Sequence, residues 1–260
     1  MGLNGPDGFK ESSVLKYIHL TIAFLLVIPA FILSVFVAII PAAIMRLFRC
    51  HRCADYWTRF NGIILSRYIM LMVNSKIVVE GLDLIPRDNR SICFVANHQS
   101  LLDIPAVIAG LRVWAGFITK KELKKVPILN YWIESINCVY IDRKSPRSSI
   151  EAILKGVEYI RKGIPMFIFP EGTRSKDGNL GSFKSGSLKL ATRAKALIVP
   201  IAISGTRMAF ESKKGMRRIV IRISVCNPIA TSTLSEEQLK ELPEQVFGAI
   251  SERYGHMVRV

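Results

Sequence analysis

Ala96-Asn97-His98-Gln99-Ser100-Leu101-Leu102-Asp103 is the stretch around which the rest of the chain is organised. It follows the apolar run Ile92-Cys93-Phe94-Val95, which reads as a buried strand. The segment after it, Leu101 to Leu111, is apolar with Asp103 as its one charge, and reads as a helix. His98 thus stands at a strand-to-helix turn, a common place for a functional group in an α/β protein. Within one helix a spacing of five leaves two side chains out of register. The pair can meet only if His98 lies in the turn and Asp103 one turn inside the helix. There the carboxylate accepts a proton from one imidazole nitrogen, fixes the tautomer and leaves the other nitrogen as a base. The plainer alternative is a helix-capping Asn-His turn with a solvated Asp.

A second strand-like run, Pro165-Met166-Phe167-Ile168-Phe169, leads into Pro170-Glu171-Gly172-Thr173-Arg174-Ser175. A tight turn there offers a backbone amide at Gly172, a hydroxyl at Thr173 and a guanidinium at Arg174. These are donors suited to a phosphate monoester. A surface turn with a structural Glu–Arg pair is the competing reading. Asn97-His98 with Asp103, followed by Phe169-Pro170-Glu171-Gly172-Thr173-Arg174, resembles the glycerolipid acyltransferase family, and within it the 1-acylglycerol-3-phosphate (lysophosphatidate) acyltransferases. Two weaker blocks agree in order: Val139-Tyr140-Ile141-Asp142-Arg143 and Val199-Pro200-Ile201. The resemblance covers roughly residues 75 to 205.

Composition points the same way. Half of the 260 residues are hydrophobic, and the mean hydropathy of +0.30 is high for a purely soluble protein. There are 36 Lys and Arg against 20 Asp and Glu, a formal net charge of +16. That excess suits anionic partners. No zinc-finger spacing or aromatic RNA-binding signature accompanies it, so a lipid surface is expected rather than nucleic acid. Five Cys, an odd count with three in apolar runs, argue against a disulfide framework and for a reducing, cytosol-facing domain. Cys50-His51-Arg52-Cys53 has the look of half a zinc site, but no partner ligands stand at metal-like spacing, and a juxtamembrane turn is expected instead.

Residues 1 to 13 are Gly-rich and polar and are expected to be mobile. From Tyr17 to Met45 there is no Asp, Glu, Lys or Arg. The run is long enough to cross a bilayer and too long for a signal-peptide core. Pro29 and Pro41 interrupt it, which leaves a kinked or re-entrant helix open. Arg46, Arg49, Arg52, Arg59 and Arg67 form the heavier positive flank, placing the main domain on the cytosolic side. Residues 55 to 73 have the spacing of an amphipathic helix, interfacial or buried in the core; the resemblance implies an N-terminal helical membrane anchor and so favours the interface. The expected division is an anchor over residues 1–74 and a catalytic domain over 75–260. From Lys76 onward strand-like and helix-like runs alternate. Capping boxes are read at Ser148/Glu151 and Ser235/Gln238. The pattern predicts an α/β fold, a mainly parallel sheet flanked by helices.

Moving an acyl group from a thioester to an alcohol needs a base, an oxyanion donor and a handle on the acceptor. The resemblance implies that His98 deprotonates the free hydroxyl of a lysolipid, which attacks the thioester directly, with Asp103 orienting His98. No Gly-x-Ser-x-Gly elbow is present, and Cys93 lies mid-strand, so neither offers an acyl-enzyme nucleophile. Asn97, Gln99 and Ser100 are expected to be structural. Glu171, Gly172, Thr173 and Arg174 are expected to hold the glycerol phosphate, Glu171 by orienting Arg174 or binding a hydroxyl; Lys120 is a further cation toward it, and Arg143 is either another or a surface arginine beside Asp142. Gly186 is read as structural and Lys184 as a contact to donor phosphates. Lys213, Lys214, Arg217 and Arg218 read as a solvated face, or as a contact for acidic acyl-carrier protein or the phosphates of coenzyme A. No cofactor is expected beyond that acyl donor, acyl-CoA or acyl-carrier protein. The competing functions are acylation of glycerol 3-phosphate or another lysophospholipid, and a non-catalytic membrane-anchored scaffold that binds anionic lipid.

Overall fold

The computed structural model describes residues 6–88, 91–184 and 186–259. In chain order its helices and strands are α1 (Pro6–Ser34), α2 (Ile40–Leu47), α3 (His51–Met72), β1 (Ser75–Glu80), β2 (Ile92–Ala96), α4 (Asp103–Leu111), β3 (Gly116–Lys120), α5 (Leu129–Ser135) and β4 (Val139–Ile141). There follow α6 (Pro146–Arg161), β5 (Met166–Ile168), α7 (Lys189–Ala194), β6 (Leu197–Ser204), α8 (Thr206–Ala209), β7 (Ile219–Val225), β8 (Ile229–Ala230) and α9 (Glu236–Arg259). The chain forms two compact units. One comprises Met1–Val78, Ser100–Arg112 and Gly205–Ile221, the other Val79–Gln99, Val113–Ser204 and Arg222–Val260. The helix that opens with Asp103 and the segment Gly205–Ile221 thus group with the N-terminal helices.

In the helical unit, Val14–Leu47 is long and apolar enough to cross a membrane, the one such run among the described residues. Residues 6–13, expected to be mobile, are helical; residues 1–5 lie outside the described chain. The prolines do not break the run. Pro29 sits inside α1, and a π-helical turn at Val35–Ile39 leads into Pro41 near the start of α2. Pro41 has no N–H to give to the carbonyl of Val37 four residues back. Trp57 Nε1 donates to that carbonyl at 2.9 Å. The wider turn relieves the ring's clash and a side chain from α3 satisfies the orphan acceptor.

Helix α3 buries Ala54, Thr58, Gly62, Ser66 and Met70, a stripe of mostly small residues at a spacing of four. Such a stripe allows close approach, and α3 packs against α1, α2 and α4. Its other face leaves Tyr56, Phe60, Ile64 and Leu71 exposed. The helix is thus packed on one face and apolar and exposed on the other. Cys50 and Cys53 are joined in a disulfide at its start, so the half zinc site is a bonded pair, a local link that the expectation of no disulfide framework did not foresee, while Cys93, Cys138 and Cys226 are free thiols. Lys213 is a further correction: it is 1% exposed rather than solvated. Its Nζ donates to the carbonyls of Val73 at 2.9 Å and Arg217 at 3.2 Å. A buried cation is tolerated there because it neutralises the carbonyl end of α3.

The other unit is built on the sheet. The strand order is β1-β7-β6-β2-β5-β3-β4, with β8 on β6. β2 pairs in parallel with β5 and β6, and β3 in parallel with β5 and β4; only β7 and β8 run antiparallel to β6. Cys93, Val95, Met166, Ile168, Ile198 and Ala202 from the central strands pack with Ile160, Leu190, Leu242, Val246 and Ile250 from α6, α7 and α9. The N-terminus of α6 comes earlier than its expected capping box. Ser145 is the cap, accepting from the Ser148 N–H, and Pro146 follows where a missing N–H costs nothing. Ser148 Oγ instead accepts from the Asp142 N–H, and Glu151 pairs with Arg147. The Ser235/Gln238 box is reciprocal, as expected: Ser235 N–H to Gln238 Oε1 at 2.9 Å and Gln238 N–H to Ser235 Oγ at 3.3 Å. Pro127 separates a 3₁₀ turn at Lys121–Lys125 from α5.

Candidate active site

Because β2, β3, β4 and β5 are parallel, their carboxyl ends lie along one edge of the sheet. His98 stands two residues beyond β2, Glu171 three beyond β5, Lys120 at the end of β3 and Arg143 two beyond β4. In an open parallel sheet this edge is where sites form.

His98 is held through its main chain. Its N–H donates to Glu171 Oε1 at 2.9 Å, and its carbonyl accepts from the Ser175 N–H at 2.8 Å. The two motifs far apart in sequence are thus stitched together, with both ends of the Glu171–Ser175 turn bonded to one residue. Asn97 anchors the strand end by exchanging two hydrogen bonds with the Ile203 backbone, each at 2.8 Å. The imidazole stacks on Phe169, with centroids 4.1 Å apart and planes 15° apart. Phe169 in turn lies against Phe117 and Phe167, and Phe167 against Phe94, so an aromatic stack backs the ring. Stacking fixes the plane of the imidazole, and with it the directions in which the ring nitrogens can bond.

Glu171 is buried, and its second oxygen accepts from the Gly181 N–H at 3.2 Å. Its carboxylate thereby ties His98 to the loop beyond the turn. Gly172 has φ +69, and a β-carbon there would fall 2.8 Å from Lys184 Nζ and 3.0 Å from Lys184 Cε. Glycine therefore answers both the backbone angle and the close passage of the lysine. Thr173 and Arg174 are exposed and line a groove of about 360 Å³ together with Glu171, Ser175, Asp177 and Gly181. Asp177 accepts from the main-chain and side-chain N–H groups of Asn179, which hold its carboxyl below the usual range.

Lys120 and Arg143 are exposed at the same edge. Lys121 Nζ meets Asp142 Oδ2 at 2.6 Å across the ends of β3 and β4, so the neighbour of Arg143 is paired with Lys121. Gln99 Nε2 donates to the Tyr254 hydroxyl at 2.6 Å and to the Gly178 carbonyl at 3.1 Å; the same hydroxyl donates to Gly178 at 2.6 Å. Burial pushes the Tyr254 phenol up, keeping it a neutral donor. Nothing in the sequence flagged Tyr254.

Asp103 belongs to the helical unit, and the boundary falls between Gln99 and Ser100. It opens α4, is fully buried, and its Oδ2 accepts from the Ser100 N–H at 2.9 Å. Glu211, which the sequence reading passed over, takes hydrogen bonds from the same turn: Ser100 Oγ at 2.6 Å and Leu101 N–H at 3.1 Å. The available signal was its isolation, since no other acid lies between Asp177 and Glu236. Burial pushes the Cys138 thiol up to about 12, and raises those of Cys93 and Cys226 as well. None of the three is a thiolate nucleophile at neutral pH.

A family model described as Acyltransferase matches residues 76–204. The 1-acyl-sn-glycerol-3-phosphate acyltransferase LPAT1, chloroplastic, of Arabidopsis thaliana is 39% identical over 131 residues, covering 50% of this chain and 36% of that protein. The 1-acyl-sn-glycerol-3-phosphate acyltransferase of Cocos nucifera is 30% identical over 187 residues, 71% of this chain and 60% of the relative. The match thus spans between about a third and three fifths of these relatives' length. The crystal structure of the 1-acyl-sn-glycerophosphate acyltransferase PlsC from Thermotoga maritima superposes with a TM-score of 0.74 at 28% identity, covering 90% of this chain and 95% of that one. With its mostly parallel sheet, its two stitched motifs and these matches, the chain belongs to the acyltransferase family.

Proposed function

We propose that this protein is a 1-acylglycerol-3-phosphate O-acyltransferase, moving a fatty acyl group from an acyl thioester to the sn-2 hydroxyl of lysophosphatidate to form phosphatidate. The observation that carries the reading is the pair of hydrogen bonds on the His98 main chain, its N–H donating to Glu171 and its carbonyl accepting from the Ser175 N–H, which fixes a base beside a turn rich in donors for a phosphate. In this reading His98 takes the hydroxyl proton, the alkoxide attacks the thioester carbonyl, and the tetrahedral intermediate expels a thiolate that takes the proton back from the imidazolium. Asp103 stabilises that imidazolium. The main chain of Gly172, with Thr173 and Arg174, holds the acceptor phosphate. Lys184 crosses Gly172 and adds a cation to it, and Lys120 and Arg143 extend the positive edge. Glu171 positions His98 and Gly181 rather than touching substrate. The donor is acyl-CoA or acyl-carrier protein. The apolar helix attaches the enzyme to a membrane, with the site on the cytosolic face. The names of the relatives support lysophosphatidate over other acceptors.

Purified protein in detergent or vesicles, given lysophosphatidate and a panel of acyl thioesters, should release free thiol and form phosphatidate. Thiol release with glycerol 3-phosphate but not with lysophosphatidate would reassign the acceptor. Binding to anionic vesicles with no thiol release from any donor would leave a scaffold.

A further inference from the structure

We propose that Glu211 is a positioning residue for the reaction, holding the turn that presents Asp103. The inference rests on the role given to Asp103 above. Each oxygen of the Glu211 carboxylate accepts one bond from the turn, Oε2 from Ser100 Oγ–H at 2.6 Å and Oε1 from Leu101 N–H at 3.1 Å. Ser100 has one hydroxyl hydrogen, and giving it to Glu211 turns the lone pairs of Oγ toward the Leu102 N–H, 3.0 Å away. The Ser100 main chain then donates its N–H to Asp103 Oδ2 at 2.9 Å and accepts from the Asp103 N–H at 3.3 Å. A chain of hydrogen bonds therefore runs from Glu211 through Ser100 to the Asp103 carboxylate. A carboxylate suits the position because two donors converge on it; an amide would turn one of its own donors toward one of them.

Glu211 is itself held from several sides. Lys16 Nζ, on α1, donates to its backbone carbonyl at 3.4 Å. The Ser212 N–H bonds to the Arg207 carbonyl at 2.8 Å. Two residues on, Lys213 is buried on the carbonyl end of α3, and Asn74 Nδ2 holds the Met216 carbonyl at 2.8 Å. The loop that presents Glu211 is thus fastened to the N-terminal helices, which thereby take part in shaping the turn before Asp103.

A double-mutant cycle tests this in the full-length membrane-bound protein. Glu211→Ala should lower kcat by about ten- to a hundred-fold, since charged hydrogen bonds are lost, and leave both KM values within about two-fold. In an Asp103→Asn background the same change should cost less than about three-fold, because the group it positions is already gone. Equal losses in the two backgrounds, or a normal kcat in Glu211→Ala, overturn the proposal. An Asp103→Asn enzyme with normal kcat overturns the reading beneath it, and the proposal with it. Thermal unfolding is followed in parallel. If Glu211→Ala fails to fold, Glu211→Gln decides: a folded protein with kcat reduced several-fold supports the proposal, and one within about two-fold of the parent overturns it.

Discussion

The two ends of the stretch from Asn97 to Asp103 are held by different means. The His98 end is a product of the sheet. Its main chain is bonded to Glu171 and Ser175, Asn97 is tied to Ile203, and the ring lies on Phe169 at the end of an aromatic stack. The Asp103 end belongs to a helical unit and is shaped by side chains distant in sequence, above all Glu211. Each end leans on a distant carboxylate, Glu171 for His98 and Glu211 for the turn before Asp103. The His98 end adds strand order, a main-chain bond from Ser175 and an aromatic stack, which spread the load over more groups.

The largest effect is expected at the base itself. His98→Ala should lower turnover by about 10²–10⁴ while leaving the protein folded and membrane-bound, since the main-chain bonds that organise the turn remain. Near-normal thiol release from that variant would break the mechanism. Next comes Glu171→Gln. An amide can accept from His98 or from Gly181 but turns a donor toward the other, leaving a buried clash worth roughly 1–3 kcal/mol. The expectation is a loss of about ten- to a hundred-fold in kcat, larger than any change in acceptor KM. A selective rise in acceptor KM would instead return Glu171 to the substrate.

Much of this contrast was legible in the sequence, and the illegible part is the side-chain-held part. Apolar runs ending in Asn97-His98 and Pro170-Glu171 announced parallel strands whose carboxyl ends converge, and the convergence follows from topology alone. Pro41 looked like a break because sequence shows the missing N–H of proline but not the Trp57 that replaces it. Lys213 looked solvated because a lysine among cations usually is; its burial depends on the end of α3 arriving from the other side of the chain. Glu211 and Tyr254 act across more than a hundred residues of sequence, where neither periodicity nor motif spacing carries information.

Arg174 sharpens the contrast from the substrate side. It is exposed on the groove rather than built into the clamp, and its planar fork gives a phosphate two hydrogen bonds where Lys gives a point charge. Arg174→Ala should raise KM for lysophosphatidate about ten-fold, with little change for the acyl donor, and Arg174→Lys should recover part of it. Equal effects on both substrates would move Arg174 out of the acceptor site.

The smallest expected effect is at Tyr254, the outer support of the sheet-held end. Its hydroxyl joins Gln99 to Gly178, but His98 keeps its own bonds to Glu171 and Ser175 without it. Tyr254→Phe removes one neutral donor and one acceptor while keeping the ring, a change worth about 0.5–1.5 kcal/mol per bond. Gln99 Nε2 retains the Gly178 carbonyl at 3.1 Å, which limits the damage. Thermal unfolding should drop by a few degrees and kcat by less than about three-fold. A loss in kcat as large as that of Glu171→Gln would mean that the main-chain clamp on His98 depends on α9, and that the two ends of the stretch are equally reliant on distant side chains.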